Sequence, residues 1–144
     1  MIYEKLLEVQ KELGAIKKDS TNPYFKSKYF DINALLEHVK PVLNKHDLVI
    51  TQALTTIEGR LGLETILAHK DGESYKTVCP IPEMVTEIKN KEKEVIGVQA
   101  DPQKQGSAIT YYRRYALQSL LALEATDDDG NTASSKVDDS GLPF

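Results

Sequence analysis

Seven of the ten aromatic residues in this 144-residue chain fall in two short segments. Tyr24, Phe25, Tyr29 and Phe30 alternate with Lys26 and Lys28, and Tyr111, Tyr112 and Tyr115 surround Arg113 and Arg114. Flat rings beside fixed cations can hold a single-stranded polyanion that carries flat bases: the cations track phosphates and the rings stack. Stacking contributes about 1–3 kcal/mol per base, and each neutralised phosphate makes binding salt-dependent. On this chemistry Lys26, Lys28, Arg113 and Arg114 are candidate phosphate contacts, and Tyr24, Tyr29 and Tyr111 candidate stacking or groove-lining rings. Phe25, Phe30 and Tyr112 are expected in the core.

Other chemistries lack their residues. The eight glycines are scattered, with no G-x-x-x-x-G-K-[ST] and no G-x-G-x-x-G to cradle a nucleotide. His38, His46 and His69 show no ligand spacing. Asp127-Asp128-Asp129-Gly130-Asn131 resembles a calcium loop, but Ala125 and Lys136 would fall on its first and twelfth positions, where acids are needed. A metal-dependent nuclease using Asp127 to Asp129 is the remaining catalytic alternative; otherwise no cofactor or metal is expected. Cys79, the single cysteine, rules out an internal disulfide and is expected to be an inert, packed thiol. The net charge of −4 is uneven: residues 124–144 hold six acids against one base, and residues 1–123 hold 17 bases against 16 acids. The body is thus near neutral, and its global charge says little about its partners. No apolar run approaches the roughly 18–20 residues of a membrane span, and no secretory signal is visible, so a cytoplasmic setting is expected.

The elements that must carry these residues follow from periodicity. Ile2, Leu6, Val9, Leu13 and Ile16 share one face of a helix predicted over residues 2–17. Asp31 or Asn33 caps a second helix bearing Leu35, Leu36, Val39, Val42 and Leu43, in which Pro41 predicts a kink or break. Asp47 to Glu58 reads as a strand, Gly59 as a turn, and Leu61 to Ala68 as an alternating strand. Asp71-Gly72 then signals a hairpin to Ser74–Cys79, giving three antiparallel strands. Residues 83–94, with four acids and three lysines, read as a solvated excursion or hairpin tip. A final helix is predicted from Gln103 to Leu123. At about 100° per residue, Ile109, Tyr112, Ala116, Leu120 and Leu123 share its buried face, while Ser107, Tyr111, Arg114 and Gln118 lie opposite. Arg113 falls at the apolar edge, and must pair with an acid or extend into a groove. Geometry alone leaves Arg114 open between a solvated surface cation and a phosphate contact. Residues 124–144 have almost no core formers and are expected to be a disordered acidic tail. The expectation is one α+β domain over 1–123, an antiparallel sheet of about three strands packed against helices, followed by the tail 124–144.

Three segments in order, Asn22 to Tyr29, Gln105 to Leu117 (QGSAITYYRRYAL) and Asp127 to Asn131, resemble the ERF (essential recombination function) family of phage single-strand annealing proteins. The resemblance covers roughly residues 1–131, and the second motif is long and specific. This chain departs from the family pattern in placing Phe30 before Asp31. The resemblance implies a fold shared with the eukaryotic Rad-type annealing rings. It also implies binding of single-stranded DNA, assembly into homo-oligomeric rings or filaments, and pairing of complementary strands without ATP. Separately, Asp138, Asp139, Leu142, Pro143 and Phe144 resemble the acidic tip of bacterial single-stranded-DNA-binding proteins, which docks on host repair or replication proteins. A single-strand-binding accessory that recruits such proteins without annealing is therefore the second expectation.

Overall fold

The computed structural model describes residues 1–14 and 31–124. They form α1 (Ile2–Leu13), α2 (Ile32–Lys45), β1 (Leu48–Ile57), β2 (Arg60–His69), β3 (Ser74–Pro80), β4 (Val85–Lys89), β5 (Val95–Ala100) and α3 (Pro102–Leu120). The α+β class and the three-stranded antiparallel sheet, ordered β1-β2-β3, are as the periodicity predicts.

α1 is shorter than the predicted 2–17 helix. It ends where Gly14 takes φ +56°, a left-handed conformation that stops helical propagation. Ile2, Leu6 and Val9 are buried on its inner face. Asp31 rather than Asn33 caps α2, its carboxylate accepting from Ala34 N–H at 2.6 Å. The break predicted at Pro41 is absent, and α2 runs through it. Proline removes one N–H and strands the carbonyl four residues earlier. Pro41 and Glu37 both lie at the exposed surface, so water can take that carbonyl and the buried face of Leu35, Val39 and Leu43 is kept. The β1–β2 hairpin closes in two residues, Glu58 and Gly59, both with positive φ. That is the turn whose twist matches paired strands.

Alternation along the strands sets one face inward. Leu48, Ile50, Gln52, Leu63, Thr65, Leu67, Tyr75, Thr77 and Cys79 share it by register, and the helices cover that face alone. The residues on the other face include the exposed Val49 and Val78.

The segment 83–94 needs correction. β4 begins inside it and pairs with β5 as a second, two-stranded sheet; only the tip is the expected charged turn. Asn90 organises that tip by accepting from Glu92 and Glu94 N–H, both at 2.9 Å. Ile88, Val95, Ile96 and Val98 all stand exposed on this ribbon.

α3 begins at Asp101, whose carboxylate accepts from Lys104 N–H at 3.0 Å and from the Thr86 hydroxyl. The Thr86 hydrogen bond, then the Lys104 N–H, hold the Asp101 carboxyl below its ordinary value of 3.8. Folding therefore favours the ionised form, so this stabilisation is complete above the ordinary value and disappears as pH falls through the lower folded value. Asp101→Asn should lose less stability than the parent chain between about pH 5 and about pH 3. Urea midpoints of both proteins across that window check this; parallel curves would refute it.

Candidate nucleic-acid interface

The inward face of the sheet is not uniformly apolar. Gln52, Thr65 and Thr77 lie side by side on β1, β2 and β3 and form a polar row across it. Thr65 is fully buried. On one side of the row Leu48 and Leu67 pack with Val9, Leu35, Leu43, Leu117 and Leu121. On the other, Leu63 packs with Ile81 and Ala108, flanked by Cys79 and Tyr112. α3 spans both clusters. Gln52 Nε2 donates to Thr65 Oγ1 at 3.1 Å and to the backbone carbonyl of Arg113 at 2.9 Å. The side chain thus ties the middle of α3 to the polar row.

This explains a difference from the predicted helix face. Ile109, Tyr112, Ala116, Leu120 and Leu123 were expected to be fully buried, yet each is only half-buried. The fully buried positions are Ala108 and Leu117, nine residues or about two and a half turns apart, and then Leu121. These fully buried positions flank the predicted stripe, of which Ile109, Tyr112 and Ala116 pack against the Leu63 cluster and Leu120 and Leu123 against the other. Arg113 falls at the crossing, at the apolar edge as its position in the sequence implies, and is half-buried. Its Nε is buried and has no hydrogen-bond partner among the described residues.

Arg114, Tyr111 and Tyr115 share the side of α3 away from the Leu63 cluster. The Arg114 guanidinium lies 5.0 Å from the Tyr115 ring centroid and 5.6 Å from that of Tyr111. Tyr111 and Tyr115 are tilted against each other at 4.6 Å, and Tyr112 meets Tyr111 edge-on at 5.3 Å. Burial, then the neighbouring Tyr115 and Tyr112, push the Tyr111 phenol above its ordinary value, so it stays neutral. Tyr112, expected in the core, packs half-buried against the Leu63 cluster. Cys79 is half-buried, and burial raises its thiol above the ordinary value, so it is held in the less reactive protonated form.

Of the predicted site, the structure brings Tyr111 and Arg114 together, while Arg113 faces the sheet from the same helix. Tyr24, Lys26, Lys28 and Tyr29 lie outside the described residues, as do Asp127 to Asp129 and the Asp138, Asp139, Leu142, Pro143, Phe144 segment. Among the described residues, no group of His, Cys, Asp or Glu is placed to hold a metal ion. No described helix is long and apolar enough to cross a membrane. Two positioning residues escaped the sequence reading, Gln52 and Thr65. Their signal was a polar residue on the inward phase of each of two apolar strands.

The described residues thus form an α+β fold that backs one sheet face with helices and ties a Tyr–Arg helix over a polar row. The chain belongs to the ERF superfamily, whose family model matches residues 2–140. It is 29% identical over 141 residues to the Essential recombination function protein of Salmonella phage P22, a match covering 98% of this chain and 64% of that relative. The chain thus spans less than two thirds of that protein's length. No solved structure shows significant similarity to it.

Replacing Gln52 with Leu keeps the size and removes the tie to α3. It removes the bonds to Thr65 and to the Arg113 carbonyl, which keeps its place in the helical ladder, so stability should fall by about 0.5–1.5 kcal/mol. Chemical denaturation of Gln52→Leu measures this; an unchanged midpoint would mean that the polar row does not hold the helix.

Proposed function

We propose that the chain binds single-stranded DNA and anneals complementary strands without ATP, in phage homologous recombination. The observation that carries this reading is the run Tyr111 to Tyr115, where a guanidinium is held over two tyrosine rings on one side of the helix. Arginine suits this place because its planar, weakly hydrated head stacks on rings and still donates two parallel hydrogen bonds to a phosphate. The Tyr111 ring stays neutral and so does not repel the DNA backbone. Annealing in this reading involves no covalent step: strands are held extended, with bases available for pairing, and released as duplex.

A homo-oligomer belongs to the same reading. One domain of this size spans few nucleotides, and repeating the site along a ring or filament supplies the length through multivalency. The apolar side chains exposed on β4 and β5 support an assembly that covers them. Recruitment of host repair proteins through Asp138, Asp139, Leu142, Pro143 and Phe144 is supported by the sequence of that segment, and the host cytoplasm is the proposed setting. The name of the P22 relative supports the recombination role.

The test is a variant carrying Arg113→Ala and Arg114→Ala, beside one carrying Lys at both positions. The alanine variant should lose most single-strand affinity. Its log affinity against log salt should flatten by about 1.4, the value for two lost phosphate contacts on single strands. The lysine variant should keep the slope, since the charge remains. Circular dichroism confirms folding. A folded alanine variant with unchanged affinity and slope would remove α3 from the DNA site. Strand pairing that persists in EDTA would separate annealing from a metal-dependent nuclease.

A further inference from the structure

β3 is an edge strand, and its inward side chains run past the cover of α3. Between the two elements lies a groove of about 500 Å³, lined by Tyr75, Thr77 and Cys79 from β3 and by Tyr112, Tyr115 and Ser119 from α3, among others. This volume falls within the usual span of small-molecule sites, about 300–1,000 Å³. The sheet side contributes one flat ring, and the helix side two. Tyr75 is fixed by donating its hydroxyl to the Leu120 carbonyl at 3.2 Å. Tyr115 is 39% exposed and is steadied by Tyr111 and Arg114. The Thr77 and Ser119 hydroxyls offer a donor and acceptor pair to whatever enters. Among the described residues no acid lines the groove, and Arg114 stands at the Tyr115 rim, where a phosphate would pass.

We infer that this groove is a slot for one unstacked base of single-stranded DNA, a conclusion that rests on the DNA-binding reading above and extends it. The base lies among the Tyr75, Tyr112 and Tyr115 rings while Arg114 contacts the adjoining phosphate. Ring stacking accepts any base, and the hydroxyls of Thr77 and Ser119 can serve either hydrogen-bonding sense, so the slot holds strands without selecting sequence. Part of the DNA affinity therefore comes from bases and part from phosphates, carried by different residues of one helix.

The experiment compares an oligothymidylate with an abasic oligomer of equal length, which keeps the phosphates and lacks the bases. The proteins are the parent chain, Tyr115→Ala, Tyr115→Phe and Ser119→Trp, the last filling the groove from an exposed position. Tyr115→Ala should weaken oligothymidylate binding by roughly tenfold, the loss of about one stacked base. Ser119→Trp should weaken it comparably, and Tyr115→Phe should stay close to the parent. Tyr115→Phe and Ser119→Trp should match the parent on the abasic oligomer, and Tyr115→Ala, which also removes a ring beside Arg114, should lose less there than on oligothymidylate. Ultraviolet cross-linking of 5-iodouracil oligomers to the parent chain should map to Tyr112, Tyr115 or Tyr75. If Tyr115→Ala does not fold, Ser119→Trp and the cross-link decide. Variants that bind oligothymidylate as the parent does, or that lose both ligands equally, overturn the slot and leave DNA binding standing. In that case the groove belongs to some other occupant, such as a peptide strand added to β3. A parent chain that binds neither oligomer overturns the DNA-binding reading, and the slot with it.

Discussion

One side chain decides how α3 sits. Gln52 reaches from the sheet to a backbone carbonyl in the middle of that helix, and shares its amide with Thr65. Apolar packing alone would slide and rotate a helix over a Leu-lined sheet at little cost, because dispersion has no direction. A buried amide cannot tolerate that freedom, since a buried polar group without its partner costs about 1–3 kcal/mol. The polar row divides the core into two apolar clusters and so fixes where α3 crosses between them. It also fixes the sheet register, because a slip of one residue would turn Gln52 or Thr65 to solvent. The direction in which Arg114 and Tyr115 point is a consequence of this arrangement.

Much of this was legible in the sequence, and the misses share a cause. The three strands, the Asp31 cap and the Glu58-Gly59 turn are local features, each set by a few neighbouring residues. The buried face of α3 is not local. Periodicity finds the contacting stripe, but the deepest positions lie at its edges because the helix serves two clusters. Ile109 and Leu120 are consequently half-buried, while Ala108, small and unremarked, is fully buried. β4 and β5 were hidden for a different reason. A ribbon with no layer over it needs no alternation of apolar and polar residues, so Glu87, Ile88 and Lys89 can follow one another in one strand. Pro41 does not end α2, because the carbonyl it frees, that of Glu37, lies at an exposed position where water can take it.

The charge distribution fits a site defined by arrangement instead of by net charge. Residues 1–123 carry 17 bases and 16 acids, so no broad basic field surrounds the domain. Many of the surface charges neutralise one another locally: Lys45 with Glu12, Lys70 and Lys5 with Asp47, Lys76 with Glu64. Arg114 lies beside two aromatic faces, which attract a cation weakly and orient its guanidinium.

The β4–β5 ribbon connects to the same helix. Met84 N–H donates to Gln105 Oε1 at 2.9 Å, Gln105 Nε2 donates to the Pro82 carbonyl at 3.1 Å, and Thr86 bonds to the capping Asp101. The base of the ribbon is thus fastened to the first turn of α3, while its apolar side chains stay open to water. A two-stranded ribbon alone is marginal in water, so its order depends on this base and on whatever covers Ile88, Ile96 and Val98. Covering them would steady the ribbon, and through Gln105 and Asp101 the start of the helix that carries the Tyr–Arg cluster. In the proposed oligomer, contact between copies at the ribbon would thus reach the Tyr–Arg cluster through one helix.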